Sequence, residues 1–315
     1  MKFHLDHIPA KPGFEIDHAS KVFLTGSCFS ENIGRLLQEH KFKTYANPSG
    51  ILFNPVSIYH TLKNSIQLNT FDEKYLLNRG DLFLSYLHHS SVNSTDKNAL
   101  TAKINAENET AHAFLKTADH LIITFGSAYF YEHINLNAAV ANCHKQAGSL
   151  FEKTLPDAND IVCMYAELVK ELQRFNPSLK LIFTVSPVKH LKDGLVENNL
   201  SKATLILSIH KLTGLFDNCF YFPAYELVND DLRDYRFYKE DLAHPNEQAI
   251  DYVWQKFSGC FFNADTLQLN QKINRLNLAM SHRDMHGNIE ESQKLQEFIA
   301  RQKEEILRSN SGIEL

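Results

Sequence analysis

Short apolar runs ending in small or polar residues alternate along the chain with longer stretches whose apolar positions recur every three or four residues. Val22-Phe23-Leu24-Thr25 closes on Gly26-Ser27-Cys28, Leu121 to Phe125 closes on Gly126-Ser127, and Leu179 to Val185 closes on Ser186-Pro187. Such runs read as buried strands, and their shared ending places several of them at one rim. Leu82 to Leu87 and the aromatic Phe220-Tyr221-Phe222 are further strand-like runs. Ile33, Leu36 and Leu37 mark a helix over about 30–40, a second runs from Val56 to about Leu68, and a third follows Thr95-Asp96 through Leu115. A fourth spans about Asp157 to Asn176, a fifth 200–213, and a sixth Glu247 to Phe261, with Pro245 suited to its first turn. Strands alternating with helices of this length predict a three-layer α/β/α fold with a mainly parallel sheet over residues 1–264. Residues 265–315, with Leu295, Phe298, Ile299 and Ile306 at helical spacing, predict a helical C-terminal extension.

Composition narrows this picture. Over 315 residues the hydrophobic share is 43% and the net charge −5, with no run of Lys or Arg. Neither a nucleic-acid nor an anionic-membrane surface is expected. No apolar run approaches the roughly 18 residues that span a bilayer, and the N-terminal residues lack an apolar signal core, so the expected compartment is the cytoplasm. The five cysteines are odd in number, widely spaced and free of C-x-x-C pairs, which predicts reduced thiols rather than a disulfide framework or a zinc site. His282 and His286, four apart, would share a helix face, but Arg283 stands where a zinc protease carries its glutamate.

The chemistry concentrates where the first run ends. A glycine there permits a sharp turn, and Ser27 and Cys28 follow between strand and helix, where backbone N–H groups can lower a thiol's pKa or hold an oxyanion. Acyl transfer needs a nucleophile, a base and a group to orient that base. Cys28 or Ser27 supplies the first, His244 the second, and Asp241, three residues earlier, the third. The N–H groups of Cys28 and Gly50 and the amide of Asn142 are candidate oxyanion donors, and Gly126 and His144 belong to loops expected to line the same rim. Against this stand plain readings: a helix cap with a buried thiol at Ser27-Cys28, a capping Asp241, and turn residues at Gly50 and Asn142.

Gly26-Ser27-Cys28-Phe29-Ser30 resembles the name-giving motif of the GSCFA domain family, a relative of the SGNH hydrolases. Asn47 to Pro55, Asn142-Cys143-His144-Lys145, Ser186-Pro187-Val188-Lys189-His190 and Ser201-Lys202-Ala203 are similar to that family's pattern. Asp241-Leu242-Ala243-His244-Pro245 resembles the last SGNH block, and matching Gly26 to the first block puts Cys28 at the nucleophilic serine. The asparagine of the third block is missing, since Gly126 is followed by Ser127 and Ala128. The resemblance implies a cofactor-independent esterase or acyltransferase acting on an O-acyl ester, with a small-molecule or carbohydrate ester as substrate. Its counterpart is a binding module that keeps the pocket for a carbohydrate or acyl ligand without hydrolysis.

Overall fold

The computed structural model describes residues 5–281, 289–310 and 312–313. Five strands form the central sheet: β1 (Lys21–Gly26), β2 (Lys43–Ala46), β3 (His120–Phe125), β4 (Lys180–Val185) and β5 (Cys219–Phe222). They pair in parallel in the order β5-β4-β3-β1-β2. Both faces of such a sheet are covered, so its strands carry near-continuous apolar sequence. All six residues of β3 are buried.

Alternate side chains of each strand feed two cores. Phe23, Leu121, Ile123, Phe125, Leu181 and Phe183 point to one face, against α2 (Pro55–Gln67), α3 (Lys97–Lys116), α4 (Ala158–Phe175) and α5 (Leu195–Leu215). Val22, Leu24, Ile122, Ile182 and Phe222 point to the other, against α1 (Cys28–Glu39) and α6 (Glu247–Phe261). The fold is the three-layer α/β/α arrangement that the alternation of runs predicts. α7 (Ala264–Ser281) and α8 (Ile289–Ser309) follow and pack on each other through Ile273, Leu276 and Ile306.

The chain leaves β1 along one face of the sheet and returns from β2 to β3 along the other. β1 and β3 therefore flank the point where strand order reverses, where open α/β sheets form a crevice beyond their carboxyl ends.

Local chemistry sets the element ends. Ser27 caps α1, Asn54 caps α2 with Pro55 in the first turn, Asp96 caps α3, and Asp157 and Asp160 build a reciprocal cap on α4. Two expectations shift. Asn246 caps α6, so Pro245 precedes that helix and bridges to Tyr238 instead of entering its first turn. The stretches 76–94 and 130–154 fold as two small antiparallel sheets, Leu76–Arg79, Leu82–Ser85 and Asn93–Ser94 in one, Phe130–His133, Ala138–Val140 and Phe151–Thr154 in the other. Their strands are two to four residues long, too short to print a period.

Candidate active site

The turn after β1 depends on Gly26. Its φ is +133°, and a Cβ there would lie 2.1 Å from the carbonyl oxygen of Thr124 on β3. Only a residue without a side chain allows that approach. The Gly26 N–H donates to Asn47 Oδ1 at 2.9 Å, and its carbonyl accepts from the Leu52 N–H at 2.9 Å. Phe53 O then accepts from the Gly126 and Ser127 N–H groups at 2.7 and 3.0 Å. Residues 47–53 thus run across the reversal point and tie the ends of β1 and β3 together.

Ser27 and Cys28 fare differently at this turn. Ser27 is 1% exposed and its Oγ accepts a long 3.4 Å bond from the Phe29 N–H. Cys28 opens α1 and is partly exposed, with a free thiol. Helix N-termini favour anions, yet burial pushes this thiol above its ordinary value, and Glu31 adds to the effect. The thiol's own backbone N–H and Lys239 act in the opposite direction. The expected lowering is thus outweighed by desolvation, and Cys28 stands as a thiol that needs a base.

Asp241 and His244 are hydrogen-bond partners. His244 Nδ1 lies 2.6 Å from Asp241 Oδ2, while Asp241 Oδ1 accepts from the Ala243 and His244 N–H groups at 2.9 Å each. Those backbone donors, then the imidazole, hold the Asp241 carboxyl well below the usual carboxylate range. With the carboxylate on Nδ1, Nε2 is left as the proton acceptor. The loop is placed by Lys189 N–H to Ala243 O at 3.1 Å and by Lys239 N–H to His244 O at 2.7 Å. Pro245 shares a small apolar crevice with Phe29, Asn32, Pro187 and Val188, so the loop rests beside the first turns of α1. Among the described residues no hydrogen bond joins the Cys28 thiol to His244.

The remaining candidates divide. Gly126 abuts the turn: a Cβ there would sit 3.2 Å from Ser27 Cβ, 3.3 Å from His190 Nε2 and 3.3 Å from Phe53 O. Gly50, at φ +73°, spends its N–H on Asn47 O at 2.8 Å and faces His89. Asn142 Oδ1 accepts from the His144 N–H, and His144 Nε2 lies 2.7 Å from Ser85 O, so both brace a loop beside the small sheets. A cavity of about 580 Å³ lies on that side too, lined by Tyr45, Asn47, Gly50, His60 and Asn108 and by neither Cys28 nor His244. Ala128, where an asparagine would stand in the SGNH pattern, is fully buried and gives its N–H to Ser201 Oγ at 2.7 Å. His282 and His286 lie outside the described residues.

Two further side chains stand at the rim. Lys202 is 1% exposed, and its Nζ donates to Gly126 O and Ser186 O at 2.6 Å each, joining the ends of β3 and β4. Burial pushes its ammonium down to about 7, while the two carbonyl oxygens favour the cation. His190 takes its backbone position from Asn198, whose Oδ1 accepts its N–H at 2.9 Å. Burial, then the charges of Lys202 and His244, pushes its imidazole down to about 4, so it is neutral near pH 7. One signal in the sequence marks this layer: the buried face of α5 starts with Asn198, Ser201 and Lys202 before turning apolar at Leu205, Ile209 and Leu212.

The GSCFA family model matches residues 21–257. The chain belongs to the GSCFA family. Among solved structures, a carbohydrate esterase family 3 protein from Talaromyces cellulolyticus is similar at 9% identity, with a TM-score of 0.38 over 81% of this chain and 99% of that one. An acetyl xylan esterase from Butyrivibrio proteoclasticus is similar at 10% identity and a TM-score of 0.40, over 82% of this chain and 65% of that one. At these values the likeness carries no information on substrate. No curated protein matches this GSCFA chain. Among its described residues no helix is long and apolar enough to cross a membrane.

Proposed function

We propose that this GSCFA protein cleaves or transfers the acyl group of an O-acyl ester of a small molecule or carbohydrate, with Cys28 as nucleophile, His244 as base and Asp241 as the group that orients the base. The observation that carries this reading is the 2.6 Å Asp241–His244 bond on a loop beside the first turn of α1, which begins with Cys28. Accessibility favours Cys28 over Ser27, which is buried as the helix cap. In the forward step His244 Nε2 takes the thiol proton and Sγ bonds to the acyl carbon. The C–O bond to the alcohol then breaks, and the alkoxide leaves with the proton from the imidazolium. Water or an acceptor hydroxyl next gives its proton to His244, attacks the thioester carbon and releases Sγ, which regains that proton. Asp241 stays ionised and stabilises the imidazolium. The Cys28 and Phe29 N–H groups, first in α1, are the donors best placed for the oxyanion.

The alternative is a binding module for a carbohydrate or acyl ligand. The missing bond between thiol and imidazole favours it, although such bonds are often long in unliganded enzymes. The test is alkylation of Cys28 by iodoacetamide and turnover of p-nitrophenyl acetate, in wild type and His244→Ala. Fast alkylation and turnover, both lost in the variant, support the enzyme. Alkylation of Cys28 no faster than that of the exposed Cys163, with no turnover, supports the binding module.

A further inference from the structure

His190 is a half-buried titratable group at the turn that the mechanism above does not use. Its Nε2 is shut off from solvent and has no hydrogen-bond partner among the described residues. A buried, unpaired imidazole nitrogen is costly. It persists here because the ring is held from several sides: Asn198 fixes the backbone N–H, and the Phe53 ring meets the imidazole edge-on at 5.6 Å. Lys202 fixes the Gly126 carbonyl next to it. The orphan nitrogen and the Ser27 methylene lie against the same side of Gly126, at 3.3 and 3.2 Å from the position its Cβ would take. Ser27, meanwhile, holds its Oγ in a 3.4 Å bond to the Phe29 N–H, longer than a normal hydrogen bond.

We infer that His190 is a positioning residue, which receives the Ser27 hydroxyl on Nε2 when an acyl oxygen displaces that hydroxyl from the Phe29 N–H. The resting cap is then a placeholder. Rotation of the Ser27 side chain exposes a second helix N–H beside that of Cys28, and gives His190 Nε2 a hydrogen-bond partner. The exchange swaps one weak bond for two better ones at the moment charge develops on the acyl oxygen. It also gives Ser27 a role in a site whose nucleophile is its neighbour. Burial, and after it Lys202, keeps the imidazole neutral, because an imidazolium at Nε2 would have no lone pair to accept the hydroxyl. This inference rests on the ester-processing reading.

The experiment compares wild type with His190→Leu, His190→Gln, Ser27→Ala and the Ser27→Ala/His190→Leu double variant, using p-nitrophenyl acetate for turnover and iodoacetamide for Cys28 alkylation. Alkylation develops no oxyanion. His190→Leu is expected to lower kcat at least about tenfold at little-changed KM, with alkylation within about twofold of wild type. His190→Gln, which places an amide acceptor near Nε2, recovers most of kcat. In the Ser27→Ala background His190→Leu costs nothing further, since the hydroxyl it serves is gone. Unchanged kcat in His190→Leu overturns the inference, as does an equal loss in both backgrounds. A parallel loss of alkylation also overturns it, because that marks a merely structural role. Wild type that alkylates without turning over ester overturns the ester-processing reading, and this inference with it.

Discussion

Gly26 and Thr124 approach so closely that β1 and β3 touch backbone to backbone at their carboxyl ends, with 2.1 Å between the place of a Gly26 Cβ and the Thr124 oxygen. Gly26→Ala therefore meets both a forbidden φ and a clash with main chain that cannot rotate away. A loss of at least about 3 kcal/mol in urea unfolding is expected, or failure to accumulate as folded protein.

Gly126→Ala is the instructive contrast. Its Cβ would press on Ser27, His190 and Phe53 at 3.2 to 3.3 Å, tight contacts that the neighbours relieve by shifting a few tenths of an ångström. The variant is expected to fold with a loss of about 1–2 kcal/mol. Since what shifts is the turn that carries the proposed nucleophile, turnover of p-nitrophenyl acetate should fall at least about tenfold, more than the stability change explains. Near-native kinetics with the same stability loss would separate Gly126 from the site.

Asp241→Asn removes the acceptor that fixes Nδ1 of His244 and leaves an amide that can select the wrong tautomer. Both side chains are about half exposed, at 50% and 45%, so stability should stay close to that of wild type. Turnover is expected to drop by about two orders of magnitude or more. Equal activity in Asp241→Asn and wild type would remove Asp241 from the mechanism.

Acid should destabilise the protein through histidines that are buried or half-buried. His88, His120 and His190 are each pushed from an ordinary 6.5 down to about 4, first by burial. Below pH 6.5 the unfolded chain takes up protons that the folded chain refuses until about pH 4, so the folded state loses stability as pH falls through that window. Each pKa unit corresponds to about 1.4 kcal/mol per group. Urea midpoints measured at pH 7, 6 and 5 should decline steadily. His120→Phe, which keeps the ring against Phe14 and removes the titration, should flatten part of the decline. A midpoint constant from pH 7 to 5 would contradict this.

Four strands of the parallel sheet were legible because both faces are buried there: a strand such as His120–Phe125 must be apolar throughout, and its end must be small where a helix or loop crosses it, whereas β2, at the sheet edge with no buried residue, left no such run. Gly26-Ser27-Cys28 and Asp241 to His244 were legible for a related reason, since a turn at a strand end and a self-bonding Asp-x-x-His loop are local features. His190 and Lys202 lie in stretches that the sequence marks, Ser186 to His190 and Ser201-Lys202-Ala203, but the contacts they make are set by tertiary packing. A histidine five residues after a strand and a lysine within a helix show no such contacts until α5 is laid on the sheet. Of the small antiparallel sheets the sequence showed the strand at Leu82–Ser85, and the rest were hidden by length. Gly50, Asn142 and His144 do lie in loops near strand ends, but their polar groups are consumed by neighbouring backbone, which spacing alone does not reveal.

The buried face of α5 has a mechanical consequence. Asn198 holds the His190 backbone, Ser201 holds Ala128, and Lys202 holds Gly126 and Ser186, all within five residues of one helix. The opposite face of the same helix shows Leu195, Val196, Leu200 and Leu207 to solvent, each about half exposed or more. The helix is therefore a rigid ruler against which the rim is aligned. A slip along its axis by a single residue, about 1.5 Å, would release all three anchors at once, so the geometry of the rim is inherited from the axial registry of one helix.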